Sequence, residues 1–249
     1  LAEYTHAVRL EPDDPNFFIT LGAAYAKQGL LAEAVEAYRK AVELDPKNLT
    51  NVLTFGNLLY ENQMYADAIP IYKHALSLAP DNYEVVKTLG WLNLKIENYE
   101  GATEYYEKAA SMKPDDVEVR YWLAAAYGKI KKYDRAISHM ETALELNPQN
   151  PDFYWYLGDL YNKAKRYNDA IEIVKKELTI RPNSAAAYCV WGKALEKLGN
   201  YEAAKEKFAK AVATGDETWR AYALKEIERQ DKLIERRELL KKQQELEGE

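Results

Sequence analysis

Apolar side chains between Pro15 and Asn48 fall into two runs at helical spacing. Phe18, Leu21, Gly22 and Tyr25 form the first, and Ala34, Tyr38 and Ala41 the second. That spacing places each set on one stripe of an amphipathic helix. Gly29 punctuates the gap between the runs, as a C-terminal cap does. The second run stops at Asp45-Pro46, because a residue ahead of proline is pushed out of the α region. The stretch is predicted to be two short helices joined by a tight turn. A pair this small cannot bury its own apolar face, so it must stack on neighbours.

The same pattern recurs with a fixed step. Pro12, Pro46, Pro80, Pro114, Pro148 and Pro182 are each 34 residues apart. Ala34, Ala68, Ala102, Ala136, Ala170 and Ala204 keep that step without exception. Gly22, Gly56, Gly90, Gly158 and Gly192 share another column, which Ala124 alone interrupts. Tyr65, Tyr99, Tyr133, Tyr167 and Tyr201 follow suit, with Leu31 in the first slot. The small columns let two helix backbones approach closely. The tyrosine columns fill space between pairs with the ring inside and the hydroxyl near water, which accounts for 20 tyrosines against 5 phenylalanines.

Six full repeats are laid out as 15–48, 49–82, 83–116, 117–150, 151–184 and 185–218. Residues 1–14 match the second half of a repeat, with Tyr4, Ala7 and Pro12 in register, so the array is expected to be entered mid-repeat. From Trp219 onward a charged helix is expected over 219–249, capping the last apolar face and then running into solvent; a coiled-coil handle is the alternative. Three departures suggest local differences. Glu177 stands in a small-residue column, Met140 and Val174 stand in a ring column, and Asn93 replaces a tyrosine, so the fifth repeat is expected to pack less tightly on the sixth. Pro70, inside a second helix, should remove one hydrogen bond and kink it.

The period, the Leu-Gly…Tyr pattern, the alanine column and the closing proline (Leu157-Gly158…Tyr161…Tyr167…Ala170…Pro182) resemble the tetratricopeptide repeat (TPR) over residues 1 to about 218. The resemblance implies an all-α fold, a right-handed superhelical solenoid of stacked helix-turn-helix units with a long C-terminal capping helix. It implies a protein-interaction scaffold or adaptor, in which first helices line a concave groove that holds a peptide or partner protein. By column the groove-facing candidates are Asn57, Tyr60, Lys87, Trp91, Tyr121, Trp122, Trp155, Asp159 and Lys193, with Glu118 and Tyr156 beside them. Large aromatics are common interface anchors, and Trp91 and Trp155 are the strongest of these. Lys27, Lys95, Lys129, Lys163 and Lys197 form a column along one groove edge, read as a solvated face with a secondary role in steering an acidic partner. Chaperone-tail binding is not expected, because no three consecutive repeats supply the lysine, asparagine and arginine clamp of that subclass: the positions hold residues such as Ile19, Ala23, Leu53, Asn57, Thr88 and Glu118. The asparagine ladder of sugar-transferase arrays is also missing, the column reading Thr20, Thr54, Thr88, Trp122, Tyr156 and Val190.

Composition narrows the rest. A net charge of −6 argues against a nucleic-acid partner. No apolar run approaches the length of a membrane span, so no direct membrane insertion is expected. A single cysteine, Cys189, excludes an internal disulfide framework and favours a reducing, cytoplasmic compartment. His6, His74 and His139 are scattered, with no zinc-ligand spacing, and no phosphate loop or nucleophile motif is present. The expected protein is therefore not an enzyme and carries no cofactor or metal. Self-assembly into a homo-oligomer, or service as the recruiting arm of a larger protein, are the competing readings.

Overall fold

The computed structural model describes residues 10–247, and the half-repeat expected over residues 1–14 lies largely outside them. Thirteen helices fill the described residues, in six pairs and one long terminal helix. They are α1 (Pro15–Lys27), α2 (Leu31–Leu44), α3 (Leu49–Glu61), α4 (Tyr65–Leu78), α5 (Tyr83–Lys95), α6 (Tyr99–Met112) and α7 (Val117–Lys129). There follow α8 (Tyr133–Leu146), α9 (Pro151–Lys163), α10 (Tyr167–Ile180), α11 (Ala185–Lys197), α12 (Tyr201–Ala213) and α13 (Glu217–Glu247). The fold is an all-α solenoid of helix pairs. Two compact units divide the chain within α7, one ending at Ala126 and the other beginning at Tyr127.

Both ends of each first helix are set by local chemistry. The residue ahead of it is Asp14, Asn48, Asn82, Asp116, Asn150, Ser184 or, for α13, Asp216. Each accepts a backbone N–H of the first turn through its side-chain oxygen, as Asn82 does from Val85 at 3.2 Å and Asp116 from Val119 at 3.0 Å. At the other end one residue takes a left-handed backbone. It is Gly29, Gln63, Glu97, Lys131, Lys165 or Gly199 in turn. The next N–H then reaches back to close the helix, as Leu30 does to the Tyr25 carbonyl at 3.0 Å. Only two of these six slots are glycine, so the turn is imposed by the closing bonds rather than by the residue type.

The two helices of a pair meet where a ring lies on a glycine. A Cβ built on Gly22 would meet the Tyr38 ring at 3.1 Å, and on Gly90 the Tyr106 ring at 2.9 Å. Gly192 faces Phe208 in the same way at 2.9 Å. In the fifth repeat the ring is replaced by Val174, and Gly158 is closed by Val174 and Val190 instead. The alanine column is completely buried from Ala34 to Ala204. In the first unit Val52, Phe55, Leu59, Val85, Leu89 and Leu92 build a continuous core on this frame. In the second, Ala185, Cys189, Phe208, Ala211 and Ala223 do so with Trp219 and Ile227 packed against them.

The departures from the repeat are resolved by partner changes. Asn93 is buried and donates to the Leu89 carbonyl at 2.7 Å, while accepting from Asn98 at 2.8 Å. Gly101 makes room for it, since a Cβ there would lie 2.6 Å from the Asn93 oxygen. Glu177 is fully buried rather than splayed, contrary to the looser packing expected of this junction. Its carboxylate accepts from the Ser184 hydroxyl at 2.5 Å and pairs with Arg181 at 2.9 Å, and Arg181 pairs in turn with Asp152 at 3.0 Å. Burial raises the Glu177 carboxyl above its ordinary range, and the Ser184 and Arg181 hydrogen bonds offset this only in part. Pro70 sits inside α4, which continues unbroken through it from Tyr65 to Leu78.

Helix α13 is a partner of the last pair along much of its length. Gln230 is fully buried and donates to Glu196 at 2.9 Å. Arg229 pairs with Glu196 at 3.1 Å, Lys205 with Asp231 at 2.5 Å, and Arg237 with Glu202. Beyond Arg237 the apolar side chains Leu239, Leu240 and Leu246 are exposed.

Two outcomes are expected from this packing. Gly90→Val should cost about 1–3 kcal/mol by overpacking the Tyr106 ring, and pairing it with Tyr106→Ala should recover part of that loss in a double-mutant cycle read by urea unfolding. For Glu177 the sign follows from linkage: a carboxyl raised in the folded state binds protons there more tightly than when unfolded. Its burial therefore disfavours the fold above the folded value, and that penalty fades as pH falls toward the ordinary value. Glu177→Gln should thus gain on the wild type at neutral pH. The gap between the two should close on acidification through the carboxylate range, as measured by urea midpoints at neutral and acidic pH.

Candidate functional site

Each unit presents its own aromatic cluster, built mainly from first-helix side chains. In the first unit Trp91 of α5 lies between Tyr60 of α3 at 4.8 Å and Tyr65 of α4 at 5.1 Å, the latter edge-on. Lys95, one turn further along α5, places its ammonium 4.8 Å from the Trp91 ring. All three rings are half-buried, so each keeps a wet edge. Asn57 is close by in sequence but is occupied, since its side-chain oxygen accepts the Tyr72 hydroxyl at 2.5 Å. That phenol is pushed up to about 12 by burial, with Tyr60 and Glu61 adding to it.

Lys87 belongs to a second group in this unit. It pairs with Asp116 at 3.4 Å and with Glu118, while the Tyr83 hydroxyl donates to Asp116 at 2.5 Å. Burial raises the Asp116 carboxyl, but the hydrogen bonds from Tyr83 and the Val119 N–H, together with the Lys87 charge, outweigh it and hold the group below its ordinary range. The group ties the start of α5 to the start of α7, so Lys87 is compensated rather than available to attract a ligand. Tyr121 and Trp122 sit edge to face at 5.0 Å, and the Trp122 indole N–H reaches Glu118 at 3.4 Å.

In the second unit Trp155 of α9, Cys189 and Lys193 of α11, and Trp219 and Tyr222 of α13 surround a cavity of about 130 Å³. Trp155 meets Trp219 at 5.7 Å, and Trp219 meets Tyr222 at 6.0 Å, both pairs close to perpendicular. Tyr156 packs on Trp155 at 5.8 Å. Asp159 and Asn162 complete the wall, with Asp159 paired to Lys163 at 2.6 Å. Lys193 is held by Glu196 at 3.4 Å and Glu226 at 3.8 Å. Cys189 is buried, and desolvation, with Glu226 and Asp216 adding negative potential, drives its thiol up to about 12.

Of the sequence-derived candidates, Tyr60 and Trp91 are brought together in the first unit, and Trp155, Asp159 and Lys193 in the second. Tyr121 and Trp122 form a separate pair, and Asn57 and Lys87 are engaged in structural contacts. Sequence reasoning missed Trp219 and Tyr222. Their signal was register: thirty-four residues back stand Ala185 and Tyr188 of α11, so α13 continues the series of first helices. The lysine column is likewise partly committed, to Trp91 through Lys95, to Asp159 through Lys163 and to Glu196 through Lys197 at 3.7 Å. Among the described residues no group of His, Cys, Asp and Glu could hold a metal, and no helix is long and apolar enough to cross a membrane.

Family models place this architecture. The TPR domain of cytochrome c-type biogenesis protein H matches residues 5–120, and tetratricopeptide repeat models match 105–138, 129–188 and 185–213. The chain is a tetratricopeptide repeat protein, and its solenoid is that of a protein-interaction scaffold. No curated protein matches it at the level of sequence. Among solved structures it is similar to YrrB, described as a TPR protein with an unusual peptide-binding site, at 24% identity over 74% of this chain and 95% of that one, with a TM-score of 0.61. MamA is similar at 28% identity over 66% of this chain and 95% of its own, with a TM-score of 0.61. PilF of Pseudomonas aeruginosa shares the fold at 20% identity over 80% and 90%, with a TM-score of 0.52.

The raised Cys189 thiol makes a checkable statement. In native protein it should react with a disulfide reagent at least about a hundredfold more slowly than in urea, because so little thiolate is present and access is blocked. A thiol count by absorbance in the two states measures this.

Proposed function

We propose that the chain holds partner-protein segments against its first helices, the aromatic cluster of each unit serving as an anchor in its own right, with no catalytic step. The observation that carries this is the cavity of about 130 Å³ walled by Trp155, Trp219 and Tyr222. Rigid rings that keep an exposed edge can take up an apolar or aromatic side chain and bury much area at small entropic cost. The Tyr60, Tyr65 and Trp91 cluster offers a second anchor of the same kind. Asp159, with Lys163 at its side, supplies a polar rim that fixes orientation. The peptide-binding site named for YrrB, a protein of the same fold, supports the reading by analogy of fold alone. Of the candidate residues, Tyr60, Trp91, Trp155, Asp159 and Lys193 belong to this proposal, with Tyr121 and Trp122 as a lesser pair.

Affinity capture from a native extract, comparing intact protein with a Trp91→Ala/Trp155→Ala variant, tests it. Proteins retained by the first should be lost from the second, each anchor contributing about 2 kcal/mol or more of the binding free energy. Equal capture by both, with thermal midpoints alike, would remove the aromatic clusters from the binding surface.

A further inference from the structure

The turns that close the helix pairs differ sharply in charge. They read Lys-Gln-Gly-Leu at 27–30, Glu-Asn-Gln-Met at 61–64, Lys-Ile-Glu-Asn at 95–98 and Lys-Leu-Gly-Asn at 197–200. Between these, residues 129–132 read Lys-Ile-Lys-Lys and residues 163–166 read Lys-Ala-Lys-Arg. The second unit brings these two turns to one hollow of about 620 Å³, lined by Lys131, Lys132, Arg135, Lys163 and Lys165, with Asp134 the one carboxylate on its wall. All six side chains are exposed. Arg135 is steadied by the Tyr127 hydroxyl at 3.0 Å, and Lys163 by Asp159 at 2.6 Å. Lys131, Lys132 and Lys165 extend around them. A concentration of cations this strong stands out in a chain of net charge −6.

We propose that this hollow docks an acidic segment of a partner protein, its carboxylates spread across the two turns. The form of the hollow selects that chemistry. A single phosphate is favoured by convergent backbone N–H groups or by arginine forks. Here the turn N–H groups are already used: Lys131 donates to the Gly128 carbonyl at 3.2 Å, Lys132 to Tyr127 at 3.0 Å, Lys165 to Asn162 at 3.0 Å and Arg166 to Tyr161 at 2.8 Å. What remains is lysine, a point charge on a flexible stem, which suits a diffuse row of carboxylates. A membrane surface asks for cations on a flat or convex face, whereas these line a concavity. A nucleic acid would carry its charge on past the patch, over a protein that is acidic in sum.

The hollow shares the Lys163–Asp159 pair with the rim of the aromatic cavity, but the three lysines varied below stand outside that pair. Fluorescence anisotropy with a labelled decaglutamate peptide tests it, comparing intact protein with a Lys131→Glu/Lys132→Glu/Lys165→Glu variant. Glutamate already occupies the left-handed turn slot at Glu97 (φ 61), so the reversals at 131 and 165 are compatible with the turn. Circular dichroism confirms the fold, and the corresponding glutamine variant serves if the charge reversal unfolds the chain. Binding by intact protein should weaken with added salt and fall about tenfold or more in the variant. Retention of that binding by Trp91→Ala/Trp155→Ala would keep this site distinct from the aromatic one. Equal peptide binding by intact and variant protein, or none by either, overturns the proposal. So does binding to phosphatidylserine vesicles or duplex RNA that the variant loses while decaglutamate is ignored.

Discussion

The packing of this chain turns on one contact, made in four of its six helix pairs: a ring of the second helix lying on a glycine of the first. The two residues are sixteen apart, as in Gly22 and Tyr38 or Gly192 and Phe208, and at 2.9–3.1 Å there is no space for even a methyl group. The contact fixes how close the two helices of a pair stand. That distance leaves the alanine column wholly buried, and it sets where the first-helix side chains emerge. Where the ring is lost, as at Val174, another apolar side chain closes on the glycine, so the constraint is on volume rather than on aromaticity.

Much of this was legible in the sequence, because a repeat prints the same constraint many times. The prolines, alanines and glycines at a step of 34 define the pairs and their order. Small-residue columns announce close approach, but they do not name what approaches. Nothing in the spacing of Gly90 and Tyr106 says that one ring lies flat on the other's Cα. Glu177 was harder. A carboxylate in a small-residue column suggests a gap, whereas Arg181 and Ser184 engage it and it is fully buried. The relevant partners sit outside the column in which the anomaly appears, so a column-by-column reading has no means of seeing the compensation.

The candidate site shows the same limit from the other side. Projection by column put Trp91 and Trp155 among the groove-facing anchors, and both rings are half-buried in the fold. It also selected Asn57 and Lys87, which face the same way but are consumed by Tyr72 and by Asp116 with Glu118. Helix periodicity fixes direction, while availability depends on neighbours one repeat away. Trp219 and Tyr222 were passed over because their helix was read as a cap. In the fold a cap and a further first helix are the same object: whatever covers the last apolar face also presents its outer side chains beside α9 and α11.

That double role explains the polar seam under α13. An apolar cap would bury more surface, yet Glu226 and Gln230 are buried against Glu196, Lys193 and Arg229. Burial alone would raise the Glu196 carboxyl, but Gln230, Lys193 and Arg229 together hold it below its ordinary range, so it stays ionised beneath the helix. Hydrophobic contacts tolerate sliding, whereas a buried ion that needs each of its donors does not. The seam therefore fixes the register of α13 on the last pair, and with it the positions of Trp219 and Tyr222 relative to Trp155. A helix held only by leucines would cover the end of the solenoid equally well, but it would leave the third wall of the aromatic cavity without a fixed place.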